Sequence, residues 1–593
     1  MTSAGILIEY QERIDQIQSI LGHAQIRQAI PVAALAIAFA TAVGLGFLAF
    51  SRRSIAIWYP ALPIPVAVLS TRSYRRQRLE TSRSVRLLNF YTRGVQRLEE
   101  RWAGEGVSGE EFEAAGHIYA ADLNLFGPGS LFERLCTART HLGRERLARY
   151  LQEPVAVEEI RQRQAAVREL AGRPDLRERM ALLGRYEFEE SRWRTFAEWL
   201  DSPPGGFAFW LGPATLAGSA VLGALSLAVL LEPSIWPAVR LMILLIAATN
   251  AAVGLWLQQR VRRVIKAATP VASEIALIRE GLELLAGERF ATPKLVDLAR
   301  RAVPAAPAIR LLCPWFTILQ ERTKDWFYYP TLWLLLGTQS ALAIESWGAR
   351  NSNALRQWLD TWAEFEALNS LACYAHENPE DRWAAIEERT AFFSAEGLGH
   401  PLIARDICVP NDFSLGCGHR FCILSGSNMS GKSTLLRSVG IAAVLAYAGA
   451  PVRARSLRLA AMRICASISI VDSLREGKSK FLAEVHRLRE MLVIADAHPV
   501  LFLVDELFSG TNSSDRRAAA DAVVRTLAAR GAIGAVSTHD IALAAISVHG
   551  GVNLHMSSRE GADNPLDFDY RLKPGVTTES NALAIARMVG VPI

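Results

Sequence analysis

The chain has 593 residues, too many for one hydrophobic core, and at about 150 residues per domain it predicts roughly three or four units. Half of the residues are hydrophobic, 21% are charged and the mean hydropathy is +0.15, a balance that excludes a uniformly polar, soluble chain and predicts apolar segments beside soluble domains. The net charge of +6 does not by itself assign a nucleic-acid partner, because much of the basic excess follows apolar segments: Arg72, Arg75, Arg76 and Arg78 after one, Arg260, Arg262, Arg263 and Lys266 after another. Cys136, Cys313, Cys373, Cys408, Cys417, Cys422 and Cys465 form no C-x-x-C pair, which argues against zinc and for reduced thiols in the cytosol.

In chain order, the first element is a polar, helix-like stretch from Met1 to Gln28 that lacks the features of a removable signal. From Ile30 to Phe50 there are 21 residues without a charge. At 1.5 Å per helical residue such a run spans about 30 Å, the thickness of a bilayer's hydrocarbon core. After Arg52 and Arg53 a shorter apolar run, Ser54 to Ser70, contains Pro60, Pro63 and Pro65, so it predicts a kinked or re-entrant second crossing.

Phe207 to Leu231 and Ile235 to Leu257 form a second pair, joined by Glu232-Pro233-Ser234 and interrupted only by Arg240. So short a link predicts an antiparallel hairpin. Two hairpins make four crossings and return the chain to its starting side, and the arginine clusters after each pair place that side in the cytoplasm. The expected location is a bacterial inner membrane, with the large polar segments on its cytoplasmic face. Trp326 to Ile344 is also apolar, but it carries Thr331, Thr338, Gln339 and Ser340 and is flanked by acids, so it predicts a core helix.

Near the C-terminus Phe421 to Ser425 is a short apolar strand pattern, followed by Gly426, Ser427, Asn428, Met429, Ser430, Gly431, Lys432, Ser433 and Thr434, and then by an apolar helix from Leu435 to Ala448. Strand, glycine-rich loop and helix stand in the order of a P-loop (Walker A). Gly426 and Gly431 let backbone N–H groups turn toward a phosphate chain; Lys432 supplies a cation for the β and γ phosphates, and the Ser433 hydroxyl a Mg²⁺ ligand. Val500 to Val504 is a second strand, ending in Asp505 and Glu506 (Walker B). The first acid suits the metal shell and the second a general base for the attacking water. Two adjacent buried acids are costly without a cation, which favours function over a structural role. A third strand, Ala532 to Val536, leads to Ser537-Thr538-His539-Asp540, where His539 can reach the γ-phosphate or the water. This alternation predicts a largely parallel α/β sheet with helices on both faces, and ATP with Mg²⁺ as cofactors.

The string Gly426 to Thr434 resembles the P-loop of the MutS family of DNA mismatch-repair ATPases, with Ser427 where that family usually has proline. Further similarities follow in the same order: Gly399 to Ile403, Val409 to Asp412, Asp472, Lys478 to Val485, Asp505 to Asn512, Ser537 to Asp540, and Ser580 to Pro592. Upstream, Gly129 to Leu147, Glu153-Pro154 and Ile160 to Leu170 look like the start of that family's helical core, and Glu364 to Pro379 like its return. The resemblance implies an ABC-type P-loop ATPase domain and a working dimer, with Ser479 facing the nucleotide of the opposite subunit. Taken from the residues alone, Lys478 to Leu492 reads as an amphipathic helix with a solvated face.

The departures shape the expected function. An apolar hairpin stands where the family's mismatch-reading domain would be, and a second hairpin interrupts the helical core. The expected order is an N-terminal cytoplasmic helix (1–28), a transmembrane hairpin (29–71), a first helical part (72–205), a second hairpin (206–258), a second helical part (259–385) and a MutS-type ATPase domain (386–593). The leading expectation is a membrane-anchored, dimeric ATPase whose nucleotide cycle moves the helical core against DNA or against a protein partner. The alternatives are a transporter-like machine, disfavoured by the lack of an L-S-G-G-Q string before Asp505, and an ATP-binding scaffold without turnover, disfavoured by the intact Lys432, Ser433, Asp505 and Glu506.

Overall fold

The computed structural model describes residues 2–52, 59–184, 210–269, 272–321, 333–388, 390–416, 418–469, 480–508, 513–539, 550–557 and 567–577. The chain forms two compact units: Met1–Ala138 with Arg144–Glu178 and Glu366–Ile593, and Arg139–Gly143 with Arg179–Phe365. The first therefore gathers the N-terminal helices and the P-loop sequence, while the second contains the hairpin predicted over 206–258.

In the first unit the polar and apolar stretches predicted as separate pieces run as one helix, Ser3–Arg52, which passes through Pro31. A short 3₁₀ turn, Tyr59–Ala61, precedes an antiparallel helix, Ile64–Leu98. The polar halves of this pair pack around Ile6, Tyr10, Ile17 and Tyr91, and Gln28 donates to the Thr81 hydroxyl at 2.7 Å. Gly94 is required here, since a Cβ would lie 2.5 Å from the Tyr10 ring. Arg97 forms a two-pronged pair with buried Glu377 at 2.7 and 2.6 Å, and Ser3 binds Glu380, so the pair's polar end is fastened to the chain just before Ala385, where the first strand begins. Its apolar half is bare: Ile30, Ile37, Phe39 and Phe47 are 67–72% exposed, and nothing among the described residues covers them.

In the second unit Leu211–Leu231 and Trp236–Ala268 form the predicted hairpin, turned by Pro233–Ile235. Gln339 donates to the Ser219 hydroxyl (2.8 Å) and the Thr215 carbonyl (3.2 Å), so the beginning of the helix Leu336–Glu377 packs along the hairpin. Of the predicted core helix over Trp326–Ile344, residues 326–332 lie outside the described residues.

Among the described residues three helices are long and apolar enough to cross a membrane: Ser3–Leu48, Leu211–Val229 and Trp236–Ala268. Pro293–Arg310 with Cys313–Leu319, bent by 48°, passes the same test only as a pair. The second crossing predicted over Ser54–Ser70 is not among them. Residues 54–58 lie outside the described residues, and the helix beginning at Ile64 is apolar only as far as Ser70 before the arginines begin.

The C-terminal part of the first unit holds two sheets. The smaller joins β1 (Ala385–Glu387), β2 (Phe393–Leu398), β3 (Asn411–Leu415) and β5 (Ser456–Ala460) in the order β1-β5-β2-β3. The larger contains β4 (Phe421–Gly426), β6 (Arg463–Ser467), β7 (Val500–Asp505), β8 (Ile533–Thr538), β9 (Gly551–Met556) and β10 (Lys573–Pro574), ordered β10-β9-β4-β8-β7-β6. All its neighbours are parallel except β10 on β9. Helices Lys480–Ala497 and Ser513–Ala529 cover one face, where Leu488, Met491, Val524 and Leu527 meet Phe502, Val504 and Val536. The helix Lys432–Ala448 covers the other, with Gly440 close against Leu503. Burial on both faces explains why these strands read as continuous apolar runs rather than alternating ones.

Candidate nucleotide site

Register assembles the site. β8 lies between β4 and β7, with Ser425 level with Thr538 and Ser537 level with Asp505. Parallel strands end on the same side of a sheet, so the loop after β4 and the acids after β7 meet at its C-terminal edge. The Asp505 carboxylate accepts from Ser433 on one oxygen and from Ser537 on the other. One side chain thus joins the P-loop helix, β7 and β8.

The loop itself is tightly built. Gly426 has φ +155°, and a Cβ there would come within 2.5 Å of the Met556 carbonyl and 2.9 Å of the Ser430 hydroxyl. Gly431, at φ +103°, precedes the helix beginning at Lys432. Met429 is 73% exposed and holds a left-handed φ of +68°, as do Glu506 (+53°), Phe508 (+55°) and Tyr570 (+53°); four of the seven non-glycine residues with positive φ among the described residues surround this site. Such conformations are costly and persist where surrounding structure enforces them. Ser427 is half-buried at the loop's base, and Asn428 and Thr434 face solvent.

Lys432 is buried, and its Nζ donates to the carbonyls of Gly426 (2.8 Å) and Ser427 (2.7 Å). Burial lowers its pKa below the ordinary lysine value, and Asp505 and Glu506 oppose that shift. The desolvation cost of this cation is therefore carried at neutral pH and relieved as pH rises through the lowered pKa. The Ser430 hydroxyl is buried without a hydrogen-bond partner among the described residues. Oxygen donors from Ser433 and Asp505, a confined cation and a loop that admits no Cβ at Gly426 fit a magnesium triphosphate.

Glu506 sits just beyond β7, where its N–H donates to the Ser537 carbonyl at 3.1 Å. Its Oε1 lies 3.0 Å from Nδ1 of His539. Both side chains are partly exposed, at 34% and 46%, which leaves room for a water beside the acid. Ser479 and Asp472, along with Ser509–Asn512 and Asp540, lie outside the described residues.

Two residues supporting the site go beyond those predicted. Ser537 is the hydroxyl that holds Asp505. Glu484 is buried and accepts from the backbone N–H of Phe508, steadying the turn after the acids. Its signal lay in the spacing: Glu484, Leu488, Met491 and Ala495 share one helix face, so an acid occupies a core position.

The fold and these residues define a P-loop ATPase-type domain. Its kind is given by comparison: the MutS domain V family profile matches residues 422–593. The chain is 39% identical over 202 residues to Endonuclease MutS2 of Thermus thermophilus, covering 32% of this chain and 26% of that protein. It is 35% identical over 254 residues to the DNA mismatch repair protein MutS of Thermus aquaticus (42% of this chain, 30% of the relative). Against the DNA mismatch repair protein MSH6 of Arabidopsis thaliana it is 33% identical over 257 residues (40% and 19%). The chain thus spans less than a third of the length of each of these relatives, and what the comparisons show is a MutS domain V over residues 422–593.

Replacing Lys432 with Ala is expected to weaken binding of a fluorescent ATP analogue by at least about tenfold, as loss of a charge-assisted contact predicts. The fold should survive, because a desolvated cation is removed; a titration giving unchanged affinity would count against the loop as the phosphate site.

Proposed function

We propose that this chain is a membrane-anchored, dimeric MutS-type ATPase in which binding and hydrolysis of ATP move the attached helical segments against DNA. The observation that carries the reading is the convergence of Lys432, Ser433, Asp505 and Glu506 at one sheet edge, with Glu506 beside His539. In this reading the loop N–H groups and Lys432 hold the phosphates, and Ser433 and Asp505 hold Mg²⁺. When bound there, Mg²⁺ would supply positive charge to offset that of the phosphate oxygens. Glu506 takes a proton from the attacking water, and His539 orients the Glu506 carboxylate through the 3.0 Å contact. Ser479 acts on the nucleotide of the partner subunit.

The membrane part of the proposal rests on the three long apolar helices and on their bare side chains, among them Phe39, Phe47, Leu241, Leu245, Leu255 and Trp256. Exposed side chains of this size over a bilayer's length are stable in lipid and aggregation-prone in water. The helix Ile64–Leu98 runs back along Ser3–Arg52, and Arg72, Arg75, Arg76 and Arg78 follow this first apolar region as Arg260, Arg262, Arg263 and Lys266 follow the second, so both polar ends face the cytoplasm of a bacterial inner membrane. DNA as the target is drawn from the mismatch-repair names of the relatives.

Glu506→Gln is expected to keep Mg·ATP binding while lowering hydrolysis by at least about a hundredfold, the usual weight of a general base; equal turnover by the two proteins would refute the assigned base. The protein should stay with membranes through alkaline and high-salt washes and leave them only with detergent. Release into buffer without detergent would overturn the anchor. Affinity for duplex or branched DNA should fall steeply between low and high salt as phosphate contacts are screened. A flat profile would redirect the proposal to an ATP-driven membrane machine acting on a protein or small molecule.

A further inference from the structure

The segment His117–Phe126 lies far from the P-loop in sequence and touches the parts of the nucleotide-binding end that surround it. Its Ile118 carbonyl accepts from the N–H of Ala466 at 3.0 Å, which closes the free edge of β6, the outermost strand of the larger sheet. Asp122 is 2% exposed, and its Oδ1 accepts from two consecutive N–H groups just past β6, Ile468 at 2.6 Å and Ser469 at 2.7 Å. Its carbonyl accepts from Nε of Arg437 at 3.0 Å, and the same guanidinium donates to the Ser469 hydroxyl at 2.6 Å. Arg437 stands one helical turn after Ser433. Leu123 fills the space over Gly440, where a Cβ would come within 2.5 Å of it.

The other end of the segment reaches away from the site. Arg487, on the helix that carries Glu484, donates to the His117 carbonyl at 2.7 Å. The Tyr119 hydroxyl donates to the carbonyls of Leu151 (2.9 Å) and Gln152 (2.8 Å), which have no partner within their own helix because they lie at its C-terminal end. One strap of ten residues, buried at Tyr119, Ala120, Asp122, Leu123, Leu125 and Phe126, therefore joins the P-loop helix, the end of β6, the helix Lys480–Ala497 and the end of the helix His141–Gln152.

We propose that Asp122 is a positioning residue that locks the early turns of the P-loop helix to the end of β6, and that its strap passes nucleotide-dependent movement of that helix to residues 144–152 through Tyr119. Asp122 touches neither phosphate nor metal in this arrangement; its side chain acts through the two N–H groups past β6, and its backbone carbonyl holds Arg437. A carboxylate suits the task because its buried Oδ1 accepts from both N–H groups at once, so removal of the side chain leaves those two donors unpaired. The inference rests on nucleotide binding at the P-loop, and membrane anchoring and the identity of the target do not enter it.

The test is amide hydrogen exchange on the purified full chain, with and without a non-hydrolysable ATP analogue and Mg²⁺, beside steady-state ATPase kinetics. In the wild type the analogue should slow exchange across residues 144–152. Tyr119→Phe and Asp122→Ala should bind the analogue within about threefold of wild type yet lose most of that slowing, and Asp122→Ala should lower kcat about tenfold or more with KM changed less than about threefold. Asp122→Asn keeps an acceptor at Oδ1 and should restore much of the response. Tyr119→Phe carries the test if Asp122→Ala fails to fold. Slowing that persists in both variants would overturn the proposal, as would a wild type that binds the analogue without any change over 144–152. A wild type that does not bind the analogue would instead remove the nucleotide reading on which the inference stands.

Discussion

The nucleotide-binding end depends on one carboxylate shared between two hydroxyls. Asp505 is gripped by Ser433 of the P-loop helix and by Ser537 of β8, so the loop that would hold phosphate and the acids that would serve the metal are joined by one side chain. That arrangement exists only because β8 lies between β4 and β7 in parallel register; a shift by one residue would turn Ser537 to the opposite face of the sheet. Lys432, satisfied by two loop carbonyls, holds the loop from within. Backbone strain at Met429, Glu506 and Phe508 gathers around the same junction, as in sites held ready for a ligand.

The helices outside this domain combine two surfaces on one element. Along Ser3–Arg52 the first half is buried through Ile6, Tyr10 and Ile17 and the second exposes Ile37, Phe39 and Phe47. A single helix thus passes from protein-packed to bare, and the change falls where acids and bases give way to uncharged residues. The polar end is anchored by Arg97 on Glu377, a pair whose members are both removed from water and therefore strongly interdependent. In the second unit the Gln339 amide nitrogen donates to the Thr215 carbonyl and the Ser219 hydroxyl between helices that are otherwise apolar. Within the hairpin Gly218 lets the second helix approach closely, since a Cβ there would lie 3.1 Å from Oδ1 of Asn250.

Legibility in the sequence followed the range of the interactions involved. The P-loop, the acid pair and the three flanking strands are local patterns, and the structure places each within a residue or two of its predicted bounds at the described positions. The hairpin over Phe207–Leu257 was equally readable, because length and lack of charge are one-dimensional properties. The second crossing over Ser54–Ser70 was less so: prolines and a short apolar run leave the helix that begins at Ile64 mostly polar. Glu484 was half-legible, as an acid at a core spacing whose target, the N–H of Phe508, no local pattern names.

By itself the sequence determined the chemistry at each position of the nucleotide site and the existence of segments with the length and apolarity of membrane helices, since both follow from residue type and spacing along the chain. Only the tertiary structure decided that Ser537 serves Asp505, that Glu377 receives Arg97 and that Asp122 reaches the end of β6 across more than 340 residues. Those contacts depend on strand order and on which helix end meets which sheet edge. Burial of apolar surface drives such choices without direction, so the hydrogen bonds that make them specific are legible only after the chain has closed.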